Sequence, residues 1–512
     1  MLGLRRRSPA SAGLDAELGG LSAPSITARV VSAATPMTVV AGVVPVGIAA
    51  TGANFPLVFL MVAGVYALFC GPYLAASRCY PTNDASSAFY SLIRHGMGKV
   101  IGVGAGWVAV AAYTALTLGL YGLIGSVLSP LLSALFAVAI PWQVVACGAA
   151  LLVGGLGLLP ITAPTRLLSV LVVCEAAMIL VVTVANLAHP APGAGIGAAL
   201  NPHQLGAGTS RLSAQLALAV LGYIGTELTV VHTEKARSGH RGVAWATYAA
   251  IAVLTVLYFL APVGLSVTLG VEGVVTAAQA DPAGLFGSTA HSNLGAAAAT
   301  LMQALLGTSL LAGAVSFHGT TSLYALYLGR SHGAPAIIQK ASRRHGTPYV
   351  ASVAQTVLAL LAILIVSISG ADPVTVLFYL GDTAGAVGIL ALLLLTALAA
   401  AIILMRRTPV AAHDPAAAGS DQVTHRGWAA AAAVAATAVL GVLIATVMVK
   451  LDTLLNVPTD SPLPAIVQMS YLLVLLAGAA WAGWHWLFRP EIFAKIGTPP
   501  TTITAPVRVG GL

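Results

Sequence analysis

Three carboxyl groups, Glu175, Glu227 and Asp382, stand inside long apolar runs of this chain. A charged side chain in hydrocarbon costs on the order of 3 kcal/mol, so an acid kept there is a candidate for carrying a proton, gating a path or contacting a solute. The plainer role is a buried structural hydrogen bond. His318, in another apolar run, adds a group that titrates near neutrality; packing is its alternative. Glu227 also closes a glycine-rich stretch, Gly222-Tyr223-Ile224-Gly225-Thr226-Glu227. A comparable stretch lies far upstream, Ala41-Gly42-Val43-Val44-Pro45-Val46-Gly47. Glycine and proline interrupt helices. In lipid an interruption is tolerated only where the freed N–H and C=O groups are buried in protein or line a cavity. Two such stretches therefore mark places where backbone is available to hold a solute. Close helix packing at the glycines is the competing explanation.

The elements that must position these groups are membrane spans. Only 7% of the 512 residues are charged and 58% are hydrophobic, with a mean hydropathy of +0.93. A soluble domain carries about 25% charged residues, so the bilayer has to act as solvent. Apolar runs of about 20 residues predict about twelve spans. They fall near 31–52, 56–77, 100–125, 142–160, 166–187, 212–232, 243–270, 294–328, 349–369, 373–404, 428–449 and 463–488. The two glycine-rich stretches lie in the first and sixth. That spacing is expected when two inverted five-helix repeats each give one discontinuous helix to a midplane site.

The expected fold is thus an all-α integral membrane protein. Its core covers 31–404, with repeats over 31–187 and 212–404, and two more helices follow over 428–488. Residues 1–30 and 489–512 read as cytosolic tails and 405–427 as a polar, disordered cytosolic linker. With the N-terminus inside, every Lys and Arg except Arg211 and Lys450 falls on the cytosolic side, as the positive-inside rule requires. The net charge of +8 then reports topology in the cytoplasmic membrane and calls for no nucleic-acid partner. The four cysteines are scattered, with neither metal-ligand nor disulfide spacing. Ser91 to Gly98, after the second span, has the amphipathic pattern of a helix on the membrane surface.

Four stretches carry a family resemblance. They are Val44-Pro45-Val46-Gly47 with Thr51-Gly52; Ser87-Ala88-Phe89-Tyr90 followed by Gly96-Met97-Gly98; Tyr223-Ile224-Gly225-Thr226-Glu227 with Glu234-Lys235-Ala236-Arg237; and Phe317 to Arg330 continuing to Gly333-Ala334-Pro335 and Gly346-Thr347-Pro348. In order and span position they resemble the amino acid–polyamine–organocation permeases, over roughly residues 30 to 490. That resemblance implies a leucine-transporter-like fold in which helices one and six unwind near the midplane. It implies a substrate carboxylate against backbone near Val44 to Gly47, where helix N–H groups are free. Exposed carbonyls around Tyr223 to Gly225 would hold an ammonium, so the predicted binding set is Gly42, Val43, Val44, Pro45, Val46, Gly47, Tyr223, Ile224, Gly225 and Thr226.

Glu227 is the leading proton or gating residue, followed by Glu175, Asp382 and His318. Glu175 aligns with a position where some proton-driven relatives carry a lysine. Sodium carriers of this type place adjacent Thr and Ser hydroxyls in span eight, where this chain has Val315-Ser316, so protons are the expected coupling ion and no metal or cofactor is called for. Tyr113 and Tyr121 in span three fill or gate the pocket. The expected activity is alternating-access transport of an amino acid or related organic amine. Exchange without proton coupling, and a non-transporting sensor on the same scaffold, remain as alternatives. An enzyme is disfavoured by the lack of HExxH, of a Cys/His metal set and of a phosphate-binding glycine loop.

Overall fold

The computed structural model describes residues 22–79, 88–159, 165–201, 209–227, 239–282, 284–342, 346–406, 420–455 and 457–497. Among these, ten helices are long and apolar enough to cross a membrane. The chain starts with α1 (Ala23–Ala33), a three-residue turn α2 (Pro36–Thr38), a π-helical segment (Val39–Val43) and α3 (Val44–Thr51). Then come α4 (Phe55–Cys79), α5 (Ala88–Met97), α6 (Lys99–Phe136), α7 (Trp142–Gly157), α8 (Thr165–Ala188) and the single turn α9 (Ile196–Ala199). They are followed by α10 (Thr209–Leu221), α11 (Gly239–Leu269), α12 (Val271–Ala280), α13 (Leu285–Leu294) and α14 (Ala296–Arg330). The last group is α15 (Tyr349–Ser369), a second π-helical segment (Val374–Tyr379), α16 (Leu380–Met405), α17 (Ser420–Val449), α18 (Leu451–Leu455), α19 (Leu463–Phe488) and α20 (Pro490–Lys495). Each predicted span overlaps these elements: the first and tenth each cover more than one, and the fourth and sixth fall on the shorter helices α7 and α10.

The helices are patterned for lipid. On α15, Leu361, Leu364, Ile365 and Ile368 face outward, while Ser352 and Gln355 are buried. Gln355 Nε2 donates to Thr117 Oγ1 of α6 at 3.4 Å, and Gln215 Nε2 donates to Asn54 Oδ1 at 2.7 Å. Polar groups therefore turn inward, where they can satisfy one another. Close helix approach rests on bare Cα atoms: a side chain on Gly381 would meet Gly119 N at 2.9 Å, so α16 crosses α6 backbone to backbone.

Several boundaries differ from expectation. The first helix begins at Ala23 and not near 31, because Ser22 caps it: Ser25 N–H donates to Ser22 Oγ at 3.4 Å. The predicted tail 1–30 is thus shorter, and residues 1–21 lie outside the described part. Helix α17 begins at Ser420, inside the predicted linker 405–427; residues 407–419 are not described. The segment after 489, read as a cytosolic tail, is helical over Pro490–Lys495 and buries Ile496 completely. Lys99 Nζ donates to the carbonyls of Phe493 at 3.0 Å and Ala494 at 2.8 Å, satisfying free carbonyls at the end of that helix. The amphipathic Ala88–Met97 is helical as its pattern requires, with Phe89, Leu92 and Ile93 buried against the bundle.

Candidate functional site

The second interruption lies where the glycines place it. Helix α10 stops at Leu221, and Gly222 to Glu227 follow as tight turns, with Gly222, Tyr223, Ile224 and Thr226 donating to the carbonyls of Ala219, Val220, Leu221 and Tyr223. Gly225 sits at φ +105°, open to glycine but not to other residues. The carboxyl of Glu227 folds back onto this turn. Its Oε2 accepts Gly225 N–H at 2.8 Å and its Oε1 accepts the Tyr113 hydroxyl at 2.8 Å. Tyr113 in turn stacks on Tyr324, ring centroids 6.0 Å apart. Glu227 is 3% exposed and lines neither cavity described below.

The first interruption is not at Val44-Pro45-Val46-Gly47. Those residues form the first turn of α3, with Pro45 in it, a position that needs no N–H donor. Gly47 is a packing notch, since a Cβ there would lie 2.3 Å from the Phe55 ring. The break falls at Ala34–Thr35: α1 ends, Thr35 takes φ +46°, and Pro36 starts the next helical segment. The sequence signal for it was Thr35-Pro36, because a residue preceding proline is driven out of the helical region.

The two interruptions touch. A Cβ on Gly225 would come within 3.1 Å of Ala33 C and Ala34 N, so only a bare Cα lets the two backbones meet there. From the far side, the Tyr258 hydroxyl of α11 donates to Ala34 O at 3.4 Å. Beside this junction lies a cavity of about 20 Å³ bounded by Ala34, Thr35 and Ile224. A second of about 100 Å³ is lined by Gly42, Val43, Val46, Leu218 and Tyr379. Thr38, Val43, Leu221, Phe378 and Asp382 line both. The π-helical segments 39–43 and 374–379 both contribute wall residues; such segments are frequent at functional sites. Asp382 carries the only formal charge among the lining residues. It follows Gly381, which the contact with Gly119 holds in place.

A family model for amino acid permeases matches residues 21–488. The chain belongs to that family. No curated protein matches it. For the permease, the match covers both interruptions and the cavity between them.

Of the residues predicted to bind, the structure brings Gly42, Val43, Val46 and Ile224 to the permease's cavities. Val44 and Tyr223 are completely buried, and the Tyr223 hydroxyl donates to Phe59 O at 3.0 Å, away from the cavities. Thr226 is buried too, its hydroxyl on Tyr223 O at 2.8 Å. Pro45, Gly47 and Gly225 shape the backbone and line neither cavity. Residues missed by sequence reasoning are Thr35, Thr38, Leu221 and Phe378. Thr38 has a buried hydroxyl with no partner among the described residues.

Glu175 of α8 is 1% exposed, and its Oε2 has no partner among the described residues. Ser309 of α14 lies beside it without reaching hydrogen-bond geometry. His318 lines neither cavity: its Nε2 bonds Ser352 Oγ at 2.8 Å in a packed corner against Gly157. Ser316, considered for sodium, spends its hydroxyl on Ala312 O at 2.9 Å. Tyr113 and Tyr121 are both buried fillers of α6, the first also a donor to Glu227. The trailing motif Glu234 to Arg237 lies outside the described residues.

Proposed function

We propose that this permease is a secondary active transporter that moves an amino acid or related organic amine across the cytoplasmic membrane by alternating access, coupled to protons, with both termini cytosolic. The observation that carries the reading is the contact between the two interruptions, Gly225 against Ala33–Ala34, beside a cavity. Two helices broken at one level can rock or unwind without dragging whole spans, and the free backbone at the break is available to a solute. Thr38, at the start of the helical segment after the first break, adds a hydroxyl to the unsatisfied N–H groups of that first turn. A substrate carboxylate is held there.

Proton coupling is assigned to Glu175. It is an intramembrane acid with one oxygen unpaired, on the helix that packs against the broken segment. Glu227 acts on the same cycle through the turn it holds. Uptake of pooled labelled amino acids into proteoliposomes, with and without an inward proton gradient, tests the reading. Gradient-driven accumulation, lost in Glu175→Gln, is expected. Accumulation that needs only internal counter-substrate makes the permease an exchanger. Absence of flux under both conditions rejects transport of these solutes.

A further inference from the structure

The geometry points to Asp382 as the group that binds the substrate's ammonium, which makes a protonated amine the obligatory part of the substrate and a carboxylate dispensable. This rests on the transport reading above. Resting on sequence alone, the ammonium belonged to carbonyls of the second interruption. In the structure the Tyr223 carbonyl of that set is already taken by the N–H and hydroxyl of Thr226, and those of Ala219, Val220 and Leu221 just before it by N–H groups of the turn. A carbonyl engaged in a short turn can accept a second bond, but it offers only a partial charge.

Asp382 differs in each respect. It lines both cavities, and its carboxyl makes no hydrogen bond or ion pair with any described residue. Its neighbour Thr383 has its hydroxyl engaged, donating to Leu454 O at 3.1 Å. Most of the remaining wall is apolar, with Gly42, Val43, Val46, Leu221 and Phe378 among its residues. A carboxylate alone in such surroundings is costly, and the cost is relieved when a proton neutralises it or a cation arrives to pair with it. A solute with an ammonium head and an apolar body answers both the charge and the walls. A carboxylate finds no Lys, Arg or His among the lining residues, only neutral hydroxyls such as those of Thr35, Thr38 and Tyr379, and nearby backbone. The ammonium is therefore the group being read, and the carboxylate is tolerated.

The test uses the full-length protein in lipid nanodiscs and three pools matched in side chain. These are alanine, valine, leucine and phenylalanine; the four amines made by removing their carboxyl groups; and the four acids made by removing their amino groups. Binding is measured by calorimetry for wild type, Asp382→Asn and Asp382→Glu. Amino acids and amines are expected to bind wild type, and the acids at least about tenfold more weakly, the size typical of losing one charged partner. Asp382→Asn weakens both nitrogen-bearing pools by about tenfold or more, while Asp382→Glu keeps the preference for amines. Deaminated acids that bind as well as the amines overturn the inference on wild type alone, whatever the variants do. Amino acids that bind Asp382→Asn as they bind wild type leave the transport reading standing and remove Asp382 from it. If no pool binds wild type, the transport reading falls and the inference with it.

Discussion

The two interruptions meet, yet they are finished in opposite ways. At the second, the polar groups named above have partners inside the protein: Glu227 takes Gly225 N–H and the Tyr113 hydroxyl, and Thr226 takes the Tyr223 carbonyl. At the first, Thr35 holds a left-handed conformation that costs a β-branched residue about 1–2 kcal/mol, and Thr38 buries a hydroxyl without a partner. Fully satisfied polar networks rigidify a structure, whereas unsatisfied ones are held for something else. The second break is thus a fixed post. The first, which shares cavity walls with Asp382, is on the proposed reading the surface that meets a solute. Intramembrane glycines and acids do not announce which of these roles they play; their partners do.

The largest effect should come from attacking the post. Gly225→Ala adds a Cβ at φ +105° and drives it to 3.1 Å from the backbone of Ala33 and Ala34. Backbone strain and overpacking together cost roughly 2–5 kcal/mol. A drop of many degrees in melting temperature, with uptake abolished, is expected. A variant that melts like wild type would show that the breaks do not touch in the working protein.

A smaller effect follows from unpicking the carboxyl. Glu227→Gln keeps one acceptor and loses the other, and Tyr113→Phe removes the hydroxyl that faces it. Each should cost about 1–3 kcal/mol, as for a buried polar group left unpaired. Because they remove one shared interaction, the double variant should lose less than the sum. Strict additivity in thermal unfolding would dissolve the network and free Glu227 to be a proton carrier. Asp382→Asn sharpens the contrast: with no partner to lose among the described residues, it should leave the melting temperature unchanged or raise it.

Much of this architecture was legible in the sequence because hydrocarbon selects helices by length and hydropathy, and those are local properties. The second interruption was legible too, since Gly222 and Gly225 weaken a helix and stand directly before an intramembrane acid, Glu227. The first was displaced toward Val44-Pro45-Val46-Gly47 because proline in a first helical turn and proline at a break look alike without neighbours. What separates them is tertiary: Gly47 faces the Phe55 ring, and Thr35 fits its methyl against Gly313, where a Cβ would lie at 2.3 Å. The ranking of the acids failed to follow from sequence for the same reason. Glu227 and Asp382 both follow glycine-containing stretches, and what ties one of them down is the fold of its turn onto Gly225 N–H and the hydroxyl of Tyr113, 114 residues away in sequence.

The mildest substitution tests the other half of the comparison. Gly42 lies in the π-helical segment, and a Cβ built there meets nothing within 4 Å, because it points into the larger cavity. Gly42→Ala therefore clashes with no wall, and replacing glycine inside a helix contributes up to about 1 kcal/mol of stability. The added methyl takes volume from a cavity of about 100 Å³, so it competes with the solute's own body. Melting temperature should hold or rise slightly, while uptake or binding of leucine falls more than that of alanine. Loss of stability like that of Gly225→Ala would make Gly42 a packing glycine after all. Unchanged discrimination between leucine and alanine would mean that the solute's side chain lies elsewhere, and that the first break holds only its polar end.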